Sequence, residues 1–305
     1  MGDRSGTPIG DGAGTGLGDL LRSATQTLAG TGVPSPRADA EALLAHALGM
    51  PTAEVRRAAL LGRGVGDRER AAYEQLVAQR AARVPLQHLT GEAHFRTLTL
   101  RVGPGVFVPR PETEVLVDLA LAELAEPATY DRARPVVVDL CTGSGAIALA
   151  VAAEHPAAKV HAVELEEDAH AWAQANVTAT GLPVDLRLGP AQQAFPDLVG
   201  AVDLVLSNPP YIPPGSVPVD PEVRDHDPAA ALYGLGEDGL QVPLEVAARA
   251  AELLVGGGVL LMEHADVQGD DIVQRLRSTG HWAAVEDHPD LTGRPRVVRA
   301  VRARP

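Results

Sequence analysis

Apolar positions in the N-terminal part of the chain fall at helical spacing. Leu20, Leu21, Ala24 and Leu28 form one stripe, which predicts a helix over Leu17 to Ala29. Ser35-Pro36 reads as an N-cap followed by proline at the first helical position. Leu43, Leu44, Ala47 and Leu48 then face inward, and Gly49 is the stop. Pro51 to Leu60 predicts a short helix and Asp67 to Arg83 a longer one. This stretch carries no chemical motif and reads as a packing or partner-docking bundle. Pro85 to Gly91 breaks the helical period, and Ala93 to Thr99 with Leu100 to Val108 read as a hairpin. Pro111 with the acidic Glu112 and Glu114 suits a helix start, the helix running to about Glu123.

From Pro135 the pattern changes to short apolar runs alternating with helical stretches. Val136 to Leu140, Val160 to Glu164, Val184 to Leu188, Val202 to Leu206 and Val259 to Glu263 read as strands. Helices are expected over Ile147 to Glu154, Glu167 to Thr180, Leu240 to Leu254 and Gln268 to Ser278, and Gly256 to Gly258 as a turn. Asn208 to Gly239 reads as a long proline-containing loop. Trp282 to Asp287 and Arg296 to Val301 lack an intervening helix and should pair antiparallel. The expected fold is α/β: a seven-stranded, mostly parallel Rossmann-like sheet with an antiparallel terminal strand, preceded by a small helical domain.

Two places on this frame carry chemistry. Cys141-Thr142-Gly143-Ser144-Gly145-Ala146 follows a strand and opens a helix, where missing side chains let a ligand approach the backbone. Glu164 ends the next strand, where a carboxylate can hold both hydroxyls of a ribose. By itself the loop also fits a nicotinamide dinucleotide. The second place is Asn208-Pro209-Pro210-Tyr211, directly after the fourth strand. Two prolines cannot continue a ladder, so the chain leaves the sheet there with stiff geometry. A planar NH2 group is a poor nucleophile. The Asn208 side-chain oxygen and the Pro209 carbonyl are two acceptors able to fix it and favour the positive charge that methyl transfer develops. Tyr211 offers a ring for stacking. Together with Asp139 and the antiparallel end, this corner favours S-adenosylmethionine over a nicotinamide.

Composition removes several classes. A net charge of −14 disfavours a binder of phosphate backbones. The chain has no apolar run long enough for a transmembrane helix and no secretory h-region near Met1. A single cysteine, Cys141, excludes an internal disulfide framework and fits a cytoplasmic enzyme. His161, His226 and His264 lack metal-ligand spacing, so no metal is expected. Cys141 reads as a small residue in a tight place, and not as a nucleophile.

The motifs occur in a telling order. Pro85 to Gly91, Val108-Pro109-Arg110-Pro111-Glu112-Thr113-Glu114, Thr142 to Ala146, Asn208 to Ile212, Pro221 to Arg224, Gly236 to Gly239 and Leu291 to Arg296 follow one another. The set resembles the release-factor glutamine methyltransferases, the HemK/PrmC family, over nearly the whole chain. The resemblance implies methyl transfer from S-adenosylmethionine to the glutamine amide in the Gly-Gly-Gln loop of class 1 peptide chain release factors, which are then the protein partner. It places Phe107, Thr113, Cys141, Thr142, Gly143, Ser144, Gly145, Glu164 and Asn208 at the cofactor. It places Asn208, Pro209, Pro210 and Tyr211 at the target. Cys141 stands where the family usually has glycine, and Glu164 where it often has aspartate. The implied layout is a flexible tail over 1–18, a helical docking domain over 19–84, a hairpin linker over 85–108 and a methyltransferase domain over 109–305. Two alternatives are an amino-methyltransferase acting on adenine or guanine in nucleic acid, and a non-catalytic cofactor-binding adaptor. If acceptance of hydrogen bonds is what matters at residue 208, Asn208→Asp should retain more activity than Asn208→Ala.

Overall fold

The computed structural model describes residues 16–125 and 134–304. Most of the expected tail lies outside the described residues, and its last two positions are already helical. Contacts divide the chain into two units. One holds the described residues up to Gly91 together with Asp220–His226, and the other holds Glu92–Val219 and the chain from Asp227 onward.

The first unit contains α1 (Leu17–Gly30), α2 (Pro36–Leu48), α3 (Thr52–Leu60), α4 (Asp67–Ala81) and α5 (Leu86–Thr90). The stripe predicted on α1 is buried, and Leu17, Leu21, Leu28, Leu43, Leu44, Val55 and Tyr73 make the core. Ser35 does not cap α2 with its side chain. Its carbonyl accepts the Asp39 N–H, while Pro36 in the first turn and Gly49 at φ 62° set the helix limits. The break expected over Pro85 to Gly91 is itself helical. α5 is a single turn held by Leu86 and Leu89 against the bundle core, and Gly91 ends it at φ 75°. Tertiary burial there outweighs the cost of nucleating so short a helix.

The second unit opens with the hairpin β1 (Glu92–Phe95) and β2 (Leu98–Arg101), shorter than expected because the pairing ends at Arg101. A single 3-10 turn over Pro111–Thr113 precedes α6 (Glu114–Ala125). Then come β3 (Val136–Leu140), α7 (Ala146–Glu154), β4 (Lys159–Glu164), α8 (Glu167–Thr180), β5 (Val184–Leu188) and β6 (Val202–Ser207). The long loop contains the short helices α9 (Pro221–His226) and α10 (Ala229–Leu232). It leads to α11 (Gln241–Leu253), β7 (Leu254–Glu263), α12 (Gly269–Ser278), β8 (Trp282–Pro289) and β9 (Pro295–Arg302).

The seven-stranded sheet has the order β5-β4-β3-β6-β7-β9-β8. The first five are parallel, and β9 runs antiparallel to both β7 and β8. β3 and β6 are buried at every position, as continuous apolar runs in the middle of a covered parallel sheet must be. β7 is longer than expected. Leu254 already pairs with Val202, so the ladder starts before Gly256 to Gly258 and passes through them with a register shift. Among the described residues no helix is long and apolar enough to cross a membrane.

α9 is the piece of the long loop that belongs to the helical unit. Its buried Glu222 accepts from Arg80 at 2.6 Å and from Arg83 at 2.7 Å, and Arg80 also donates to the buried Asp39 at 2.7 Å. Burial alone would raise the Glu222 carboxyl, but Arg83 and Arg80 hold it well below the usual carboxylate range. Its stabilising contribution is therefore present above the ordinary glutamate pKa and is lost as pH falls. Glu222→Gln should cost about 1.5–3 kcal/mol near neutral pH, the scale of a hydrogen bond to a charged group. The difference should shrink in acid, and urea unfolding across pH checks both.

Candidate functional site

The strand order reverses direction beside β3. The chain runs outward from β3 through β4 to β5, then returns to the other side of β3 with β6. Such a reversal of strand order is where open α/β sheets bind ligands. Leu140 pairs with Ser207, and the Ser207 hydroxyl donates to the Leu140 carbonyl at 2.5 Å. The glycine loop from Cys141 and the corner from Asn208 thus leave the sheet side by side.

The glycine loop is braced from below by Asp139. Its Oδ2 accepts the Thr142 hydroxyl at 2.5 Å and the Ala148 N–H at 3.1 Å. Cys141, Gly143 and Gly145 have φ of 66°, 57° and 84°. Cys141 therefore stands in the left-handed region that glycine occupies without strain, which is a backbone cost and not only a matter of space. Burial, then the neighbouring Glu164 and Asp139 charges, push its thiol up, opposite to what a nucleophilic cysteine needs.

Glu164 reaches across from the end of β4. Its Oε2 accepts the Gly143 N–H at 2.7 Å, and its Oε1 accepts the Leu165 and Glu166 N–H groups at 2.8 and 2.9 Å. A carboxylate has about four acceptor sites, so the loop uses three and leaves capacity for a hydroxyl. Burial is the largest influence on Glu164 and raises its pKa, while these three backbone donors pull it down. On the far side, buried Asn176 donates to the Ser144 carbonyl at 2.9 Å and pairs with both backbone groups of Arg101.

At the corner, Asn208 Nδ2 donates to the Thr113 hydroxyl at 3.3 Å, and Thr113 donates to Glu263 at 2.8 Å. The Tyr211 hydroxyl reaches the same Glu263 at 3.4 Å, and burial with the Glu263 charge raises its pKa. Pro209 is buried, and Pro210 and Tyr211 are half-buried. The backbone of the corner is clamped from behind. A Cβ on Gly239 would lie 2.3 Å from the Tyr211 carbonyl oxygen, and one on Gly234 would lie 2.7 Å from that of Pro210. Buried Gln268 donates to the Tyr211 and Asp238 carbonyls, both at 2.9 Å, and accepts the Ala265 N–H. Phe107 is half-buried beneath the Arg110 guanidinium, 5.0 Å from the ring centre, and Arg110 in turn bonds to Asp227.

The structure therefore joins Thr113 to the Asn208-to-Tyr211 corner through Asn208 and Glu263. It gathers Cys141, Thr142, Gly143, Ser144, Gly145 and Glu164 into one loop assembly. The sequence reading passed over Asn176, Glu263 and Gln268. Asn176 was legible as the one polar residue on the buried Ala169-Ala173 face of α8. Among the described residues, no group of three or more His, Cys, Asp or Glu side chains is placed to hold a metal ion.

Asp139 yields a pH prediction. Burial pushes its carboxyl from 3.8 up to about 7, against the opposing bonds from Thr142 and Ala148. The folded state then holds a proton that the unfolded state releases, so stability falls as pH rises from about 4 to about 7 and levels off above. Its buried Oδ1 has no hydrogen-bond partner among the described residues. Asn at this position keeps an oxygen for Thr142 and Ala148 and cannot ionise. Asp139→Asn should flatten the decline, measured as urea midpoints at pH 5, 6, 7 and 8.

Comparison with known proteins bears on both units. Residues 19–91 match the PrmC N-terminal domain family, and residues 98–219 match the methyltransferase small domain family. The chain is 51% identical over 287 residues to a protein of Streptomyces coelicolor called release factor glutamine methyltransferase, covering 93% of this chain and 98% of that one. Proteins of the same name from Mycolicibacterium smegmatis and Deinococcus radiodurans are 48% and 45% identical, each over 94% of this chain and 98% and 99% of theirs.

Proposed function

The chain belongs to the release factor glutamine methyltransferase family, and on that premise we propose that it methylates the side-chain amide nitrogen of the glutamine in the Gly-Gly-Gln motif of class 1 peptide chain release factors. The methyl donor is S-adenosylmethionine, whose sulfonium carries the electrophilic methyl. The residues present fit that donor. Gly143 and Gly145, at positive φ, leave the loop backbone open to a ligand, and Glu164 keeps acceptor capacity for a ribose hydroxyl beyond its three backbone bonds.

The observation that carries the reading is the hydrogen bond from Asn208 Nδ2 to Thr113. It commits the NH2 end of the Asn208 amide to the protein and leaves Oδ1 as the end able to accept. Asn208 Oδ1 and the Pro209 carbonyl accept the two hydrogens of the target NH2. They hold the nitrogen in line and stabilise the positive charge that grows on it as the N–C bond forms and the S–C bond breaks. The methylated nitrogen releases one proton to solvent as or after the bond forms, so no strong base is required at the corner. Tyr211 flanks the flat amide. The helical unit supplies the grip on the release factor.

The −14 net charge argues against a nucleic-acid substrate. Incubation of the full chain with labelled S-adenosylmethionine and either a class 1 release factor or nucleic acid decides the matter. Mass spectrometry should find the label on the motif glutamine. Label on adenine or guanine, or none on the release factor, would overturn the reading.

A further inference from the structure

We propose that Glu263 is a positioning residue for this transfer: it holds both ends of the Asn208-to-Tyr211 corner and decides which end of the Asn208 amide faces the target. The inference rests on the activity proposed above. Glu263 ends β7, one residue beyond Met262, which pairs with Ser207 at the end of β6. It is buried and belongs to neither the glycine loop nor the corner itself. Its Oε2 receives the Thr113 hydroxyl and its Oε1 the Tyr211 hydroxyl.

The direction of the chain of bonds follows from what each group has to give. An ionised carboxylate only accepts. Thr113 has one hydroxyl hydrogen, and it is committed to Glu263. Toward Asn208, Thr113 is then an acceptor only, and the NH2 of Asn208 is the end that satisfies it. Oδ1 is turned the other way and is free to accept from the target nitrogen. Without this bias the two ends of the amide differ little in shape, and the reversed rotamer would present hydrogens to a group that itself brings hydrogens.

Burial raises the Glu263 pKa above the ordinary glutamate value and Glu112 adds a like charge, while Thr113, the Arg296 guanidinium and Tyr211 oppose the rise. The direction of the bonds rests on the geometry, with the Thr113 hydroxyl donating to Oε2 at 2.8 Å. Arg296 comes from β9 and is itself held by Asp290 and by the His264 carbonyl, both at 3.4 Å.

The test uses the full chain and three substitutions. Thr113→Val removes the hydroxyl at constant shape. Thr113→Ser restores it. Glu263→Gln supplies an NH2 that can donate to Thr113 and so reverse the chain. Glu263→Gln and Thr113→Val should each lower single-turnover methylation of a release factor about tenfold or more, as misplacement of a reacting group does. Thr113→Ser should stay near wild type, and calorimetric affinity for S-adenosylmethionine should not move in Glu263→Gln. The side-chain NH2 resonances of Asn208, identified by their loss in Asn208→Ala, should shift in the Val and Gln variants and not in the Ser variant. Wild-type turnover in Thr113→Val would overturn the proposal, as would unmoved Asn208 resonances or weakened donor binding in Glu263→Gln. If Glu263→Gln fails to fold, the Thr113 pair carries the test. If the wild type methylates no release factor, the activity reading fails, and the Asn208 resonances still judge the role of Glu263.

Discussion

Replacing Asn208 with alanine is expected to slow methylation of a release factor ~100-fold or more, by analogy with the loss of one preorganised group at an oxyanion site. The substitution removes one of two acceptors and leaves the Pro209 carbonyl. Donor affinity should change little, because the loop from Cys141 and Glu164 holds together through bonds that do not involve residue 208. The structure also revises the expectation for aspartate. Acceptance alone favours Asn208→Asp over Asn208→Ala. A carboxylate, however, has no hydrogen for Thr113, and Glu263 already takes the hydrogen that Thr113 has. Two carboxylates would then compete for one hydroxyl beside a buried charge. Asn208→Asp should therefore be no faster than Asn208→Ala. Single-turnover rates of the three proteins check this. An alanine variant with near wild-type turnover would reduce the corner to a turn.

Glu164→Ala is expected to weaken S-adenosylmethionine binding by about 1.5–3 kcal/mol, the range for a hydrogen bond to a charged group, or ~10–150-fold in Kd. Two losses combine. The acceptor for a ribose hydroxyl goes, and so does the anchor that Gly143, Leu165 and Glu166 share. The effect should appear in calorimetric affinity, with turnover at saturating donor reduced less. Unchanged affinity would show that Glu164 serves the loop alone, and tight NADH binding by the wild type would overturn the choice of donor.

The parts of this protein whose cause is local can be read from the chain alone. β3 and β6 are legible because strands covered on both faces read as near-continuous apolar runs, broken here only by Asp139, Asp203 and Ser207. The antiparallel end is legible because no helix separates β8 from β9. The glycine loop and the Asn208-to-Tyr211 corner are legible because φ limits and missing N–H groups act within a few residues. Boundaries were less secure where packing outweighed propensity, as in α5 and in the glycines of β7. Bonds between residues far apart in the chain follow from the fold, because no periodicity announces them. Thr113 meets Glu263 across 150 positions, Arg80 meets Glu222 across 142, and Gln268 meets Tyr211 across 57. Each joins a polar group to a partner set by strand order and burial. A buried polar side chain must find a partner somewhere, but its neighbours in sequence do not say where.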